Sequence, residues 1–166
     1  MTLTIAPPVD GYARAPHHAQ AGVRNLDVAT QATGALQAAL DGSEDFQRVM
    51  LKAAAGAGKS YALRNMVVDA LRHPACSRVG ITAFTNRQVI YLAADLGDRL
   101  GKDRVCLRVS AKRAGDVPEH VPQRATVAFS DKEVPESAAV ILATTHMFEF
   151  GRWRLREALG PATNVE

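Results

Sequence analysis

The sequence predicts an α/β domain built on a mainly parallel sheet flanked by helices. Three observations carry that expectation. The runs "RVGITAF" (78–84) and "AAVILATT" (138–145) are almost wholly apolar, as parallel strands covered on both faces are. Between such runs lie segments whose apolar residues recur three and four apart, the spacing of a helix with one buried face. Strand and helix readings then alternate along the chain, which is the pattern of βαβ units.

At 166 residues the chain can build one domain with a substantial core. Residues 1–24 hold Pro7, Pro8, Pro16 and the pair His17-His18 without periodicity, and are expected to form an irregular or poorly ordered N-terminal arm. The domain proper is placed at 25–166. It opens with "LDVATQATGALQAAL" (26–40), a helix weakened by Gly34 and broken by "DGSED". A short strand, "RVML", leads into a glycine loop. A helix follows from Lys59 to His73, with Leu63, Met66, Val67, Ala70 and Leu71 on its inner face and Pro74 beyond its end.

After the strand at 78–84, Thr85-Asn86 opens a helix with Val89, Leu92, Ala93, Leu96 and Leu100 on one side. "RVCLRV" (104–109) reads as a third strand, 111–124 as a loop with two prolines, "ATVAF" as a short strand and 138–145 as a buried one. A last helix is expected from about Phe148 to Leu159, before Gly160-Pro161.

Composition narrows the function classes. Hydrophobic residues make up 47% and charged residues 22%, ordinary values for a soluble domain, and the net charge of +3 admits an anionic partner without requiring one. No apolar run reaches the length of a membrane span, and the N-terminus lacks the layout of a secretory signal. The expected location is cytoplasmic, with no membrane partner. Cys76 and Cys106 have neither metal-ligand spacing nor a disulfide framework, and both read as structural thiols.

The segment "AAAGAGKS" (53–60) carries the most chemistry. It fits the phosphate-binding loop pattern, with Ala53 in the first small position and Gly58-Lys59-Ser60 at its close. Gly56 and Gly58 free the backbone for conformations closed to residues with a Cβ, so N–H groups of Gly56, Ala57, Gly58 and the following Tyr61 turn can converge on phosphate oxygens. A helix starting at Lys59 directs the positive end of its dipole at the same anion. Lys59 is the predicted catalytic cation on the β- and γ-phosphates, and the Ser60 hydroxyl the predicted Mg²⁺ ligand. The cofactors expected are therefore ATP and Mg²⁺.

These residues resemble the superfamily 1 DNA and RNA helicases, whose phosphate loops often read Ala-x-Ala-Gly-x-Gly-Lys-Ser/Thr. Ala53, Ala55, Gly56, Gly58, Lys59 and Ser60 match. "ITAFTNRQVIYLAADLG" is similar to that family's next motif, a strand ending in Thr-Asn before a helix, with Thr85 and Asn86 in place. "VILATTHMFEF" resembles a further motif, with Thr144, Thr145 and His146 at the strand end.

The resemblance spans roughly residues 26–150. It implies a RecA-like P-loop NTPase fold, ATPase activity, a single-stranded nucleic-acid partner touched by Thr85, Asn86, Thr144 and His146, and an adenine-reading glutamine, with Gln31 the first choice and Gln37 the rival. Each residue also has a plain structural role open to it: Thr85 as a helix cap, Thr144 as a strand end, Gln31 as an exposed helix residue, and the run Arg152, Trp153, Arg154, Arg156 as a solvated helix face.

Hydrolysis needs an acidic residue at the end of another core strand. The family implies an Asp-Glu pair after the third motif, and none is found. Asp131 is the nearest substitute and reads as a loop carboxylate, while Asp69 lies within the helix that follows the loop. The expectation is a motor domain truncated before its acidic strand, missing the C-terminal part of the motor. A small P-loop kinase using Lys112, Arg113 and Arg124 as a lid, and a non-catalytic nucleotide-binding or interaction module, are the alternatives.

Overall fold

A computed structural model of the protein describes residues 16–43 and 58–150. The "RVML" strand, the front of the glycine loop with Gly56 and Ala57, and the run at 152–156 lie outside the described residues.

The described residues form an α/β unit. Helices α1 (Pro16–Leu40) and α2 (Lys59–Ala70) precede β1 (Val79–Ala83) and α3 (Asn86–Leu100). Then come β2 (Val105–Arg108), the short α4 (Val121–Arg124), β3 (Thr126–Ala128), β4 (Val140–Thr144) and α5 (Thr145–Phe150). The four strands make one all-parallel sheet in the order β1-β4-β2-β3. The last strand thus slots between the first two. It pairs Ile81 with Leu142 on one side and Leu107 with Leu142 on the other.

That register lays Ile81, Leu142 and Leu107 in one row. With Val105, Val109 and Val140 they meet Val89, Ile90, Ala93, Ala94 and Leu96 of α3 in the main core cluster. The alternate residues Cys106, Ile141 and Ala128 form a smaller cluster with Ala138, against which Phe148 of α5 packs. Every residue of β2 is buried and four of five in β4 are, so the apolar runs are explained by cover on both faces. β1 differs: Gly80 and Thr82 are exposed and only Ile81 is fully buried.

The element boundaries depart from the sequence expectations in three places. α1 begins at Pro16, ten residues ahead of the expected start near Leu26. Proline is well placed there, because its fixed φ suits the first helical position and its missing N–H is not needed. The expected irregular arm therefore gives way to helix over 16–24. The segment 111–124, read as a loop, holds a 3-10 turn (Ala111–Asp116) and α4, with Val121 fully buried. α5 starts at Thr145, straight from the end of β4, three residues before the expected Phe148.

α3 and α4 approach closely at Gly97. A Cβ built there would stand 1.9 Å from the Arg124 carbonyl oxygen and 2.6 Å from its carbon, both backbone atoms that cannot swing aside. Arg124 Nη1 also reaches Asp98 Oδ2 at 3.2 Å across the same approach. Gly97→Ala is accordingly expected to lower stability by about 1–3 kcal/mol, through forced separation of the two helices. A denaturation midpoint equal to wild type would show that α4 is not held against α3.

Candidate functional site

The start of α2 is the first half of the candidate site. Gly58 is its N-cap residue, at φ 80 and ψ 16, a left-handed conformation that residues with a side chain rarely adopt. The position of its missing Cβ faces open space. The glycine is thus required by backbone conformation and not by crowding. Lys59, Ser60 and Tyr61 follow on the first turn and are all exposed. No side chain among the described residues caps this helix.

The start of α3 is built the other way. Thr85 is its N-cap and closes a capping box with Gln88. The Thr85 hydroxyl accepts from the Gln88 N–H at 3.4 Å and donates to Gln88 Oε1 at 3.1 Å. The Thr85 N–H donates to the same oxygen at 3.4 Å. Two orphan amides of the first turn are satisfied internally, and the hydroxyl predicted to meet nucleic acid is engaged in its own helix. Thr85→Ala should cost about 1 kcal/mol of stability and Thr85→Ser only a fraction of that. Equal thermal stability of all three proteins would deny the cap.

Of the two helix starts, then, that of α3 is closed by its own side chains and that of α2 carries no side-chain cap among the described residues. Ser60 is the only Mg²⁺ ligand the sequence proposed, and no cluster of three or more His, Cys, Asp or Glu that could hold a metal is found among the described residues. Of the three residues at this start, Ser60 alone carries a side-chain oxygen that could ligate Mg²⁺, which commonly keeps most of its ligands as phosphate oxygens and water.

The second half of the candidate site is the carboxyl edge of the sheet. Ala83 pairs with Thr144, so β1 and β4 end side by side. Asn86 (half-buried) follows the end of β1. Thr144 is the last residue of β4, and Thr145 and the exposed His146 follow it. Neighbouring strands lie about 4.8 Å apart. The two strand-end groups predicted to contact one strand of nucleic acid are therefore brought together, at the edge where open parallel sheets bind ligands. Gln31, the predicted adenine reader, is exposed on α1, as is its rival Gln37. α1 packs against α2.

Next along that edge is a group that sequence reasoning did not find. Arg108, at the end of β2, is 8% exposed. Its Nε donates to Asp131 Oδ1 at 2.8 Å and its Nη1 to the Val109 carbonyl at 2.6 Å. The sequence predicts Asp131 to be a loop carboxylate and the nearest substitute for the missing acid. It does lie in a 3-10 turn, but its carboxylate is committed to Arg108.

Glu133 accepts from the Phe129 N–H at 2.8 Å and the Ser130 hydroxyl at 2.7 Å. These bonds, the Phe129 amide first, hold its carboxyl below the usual range. The bonds therefore favour the fold above the ordinary carboxylate pKa and are lost as the pH falls through the lowered one. Asp69, the other acid weighed from sequence, pairs with Arg72 on the far end of α2 at 3.0 Å.

The cysteines behave as expected. Both are free, and burial pushes the Cys106 thiol up to about 11, which keeps it protonated and unreactive at neutral pH. No helix among the described residues is long and apolar enough to cross a membrane. Compared with protein-family models, with curated proteins and with solved structures, the chain matches none.

Proposed function

We propose that this chain is the nucleotide-binding part of an ATP-dependent nucleic-acid motor, a helicase or translocase of the RecA-like P-loop class. One observation carries the reading. Gly58 turns left-handed immediately before a helix that no side chain among the described residues caps, and Lys59 and Ser60 are exposed on its first turn. A triphosphate placed there takes amides of the helix start, the Lys59 ammonium neutralises its β- and γ-oxygens, and Ser60 ligates the accompanying Mg²⁺. Support for a nucleic-acid partner comes from Asn86, Thr144, Thr145 and His146, which stand on adjacent strand ends of an all-parallel sheet.

In such a motor the phosphate site and the strand-end site face two ligands of one cycle. ATP binding closes the cleft on single-stranded nucleic acid, and hydrolysis reopens it. Turnover calls for an acidic residue that no described strand end supplies in free form, since Asp131 is held by Arg108. The 166-residue chain is therefore expected to bind Mg·ATP and to hydrolyse it poorly. Calorimetric titration with Mg·ATP tests the reading. Saturable uptake near one equivalent is the expected result, and a blank titration of the folded protein sinks it.

A further inference from the structure

The first two turns of α3 keep aromatic surface in water. Phe84, just ahead of the helix, is 91% exposed, and Tyr91, on its second turn, is 55% exposed. Exposed apolar groups that gather in one place mark interaction surfaces, whereas scattered ones do not. Between the two rings stands Arg87, also exposed, with its guanidinium carbon 6.0 Å from the centroid of the Tyr91 ring. Arg87 and Tyr91 are four residues apart, so they lie on one face of α3. A guanidinium stacked on a ring uses its flat face, while its N–H groups point outward in its own plane. An arginine held in this way can still donate to an anion.

The charge around the pair has one sign. From Phe84 to Ala94, Arg87 is the sole charged residue. The first carboxylate of α3, Asp95, is paired with Arg64 of α2, and Asp98 is paired with Arg124. An apolar protein surface would suit the rings but would bury the guanidinium without an acceptor, which is costly. A single strand of nucleic acid supplies both parts, flat bases for a ring and phosphate oxygens for a guanidinium. The face is also continuous with the strand-end site, since Asn86 directly precedes Arg87.

We propose that Arg87 and Tyr91 form a stacking platform for single-stranded nucleic acid, with a base on the Tyr91 ring and a neighbouring phosphate on Arg87. The platform extends the strand-end site along α3 and rests on the nucleic-acid partner proposed above. Stacking uses the face of a base and not its edge, so the platform takes any base.

Binding of a fluorescently labelled single-stranded oligonucleotide to the full chain, followed by anisotropy over a range of salt, tests this. Tyr91→Ala should weaken binding by about 5- to 50-fold with its salt dependence unchanged, and Tyr91→Phe should bind as wild type does. Arg87→Ala should also weaken binding, and should reduce the slope of log affinity against log salt by about 0.7, the share of one single-strand phosphate. Thermal melts of the three variants should stay close to wild type, because both side chains are exposed. Tyr91→Ala and Arg87→Ala proteins that bind as wild type does overturn the platform and leave the strand-end site standing. A wild type that takes up no oligonucleotide overturns that site and the platform with it. Self-association of the wild type that Tyr91→Ala abolishes, with oligonucleotide binding intact, assigns the face to a second copy and overturns the proposal as well.

Discussion

Asp131→Ala is expected to lower the stability of the fold by about 3 kcal/mol, the cost of leaving a mostly buried cation without its counter-ion. Arg108 sits at the end of β2 on the sheet face shared by Cys106 and Ala128, with its side chain 10% exposed and that of Asp131 18% exposed. The Nε–Oδ1 contact of 2.8 Å is the direct ion pair of the guanidinium, Nη1 is spent on the Val109 carbonyl, and the Glu133 carboxylate acts on the charge without a bond to it. Removing the carboxylate strands the charge; removing both groups does not.

The double variant Arg108→Met with Asp131→Leu should therefore fall much closer to wild type than Asp131→Ala does. Asp116→Ala is the control. It takes away the partner of Arg113, 3.3 Å distant and well exposed on both sides, and should move stability by less than about 1 kcal/mol. Denaturant midpoints at constant slope measure all three. If Asp131→Ala costs no more than Asp116→Ala, water reaches Arg108 and the pair is not a structural one.

The same pair shows where sequence reasoning stops. Local signals were legible. Gly58 before Lys59, Thr85 before a helix, and the apolar run at 138–145 each follow from a few neighbouring residues, and each is seen in the fold. Arg108 and Asp131 lie 23 residues apart, and nothing in either neighbourhood says that they meet. The insertion of β4 between β1 and β2 is likewise non-local, since no neighbouring residue specifies which two strands it pairs with. The role of Gly97 is non-local as well, since it is the carbonyl of Arg124 that leaves no room for a Cβ there.

Thr85 is the instructive middle case. Its sequence position suited two roles, and the geometry assigns its hydroxyl to the cap. Any contact with nucleic acid must be made around that box or at its expense. The 16–24 helix was missed because an alanine-containing segment with few large apolar residues carries no periodic signal to read.

Lys59→Ala is expected to weaken Mg·ATP binding by about 10- to 100-fold, the loss of one charge-assisted contact of roughly 1.5–3 kcal/mol. Its effect on stability should be small beside that of Asp131→Ala, because the side chain is exposed on the first turn of α2 and belongs to neither core cluster. Ser60→Ala should act differently again, lowering affinity mainly in the presence of Mg²⁺, so that the metal's contribution to binding shrinks.

Thr85→Ala gives the opposite profile: weaker folding with nucleotide uptake preserved. The contrast matters because both residues begin a helix of the same sheet. A helix whose first turn is closed by its own side chains needs its cap to fold, whereas one left open after a left-handed glycine needs its lysine to bind. Calorimetry and thermal melts on the two variants separate those roles. Should Lys59→Ala bind Mg·ATP as tightly as wild type, α2 is not the phosphate helix.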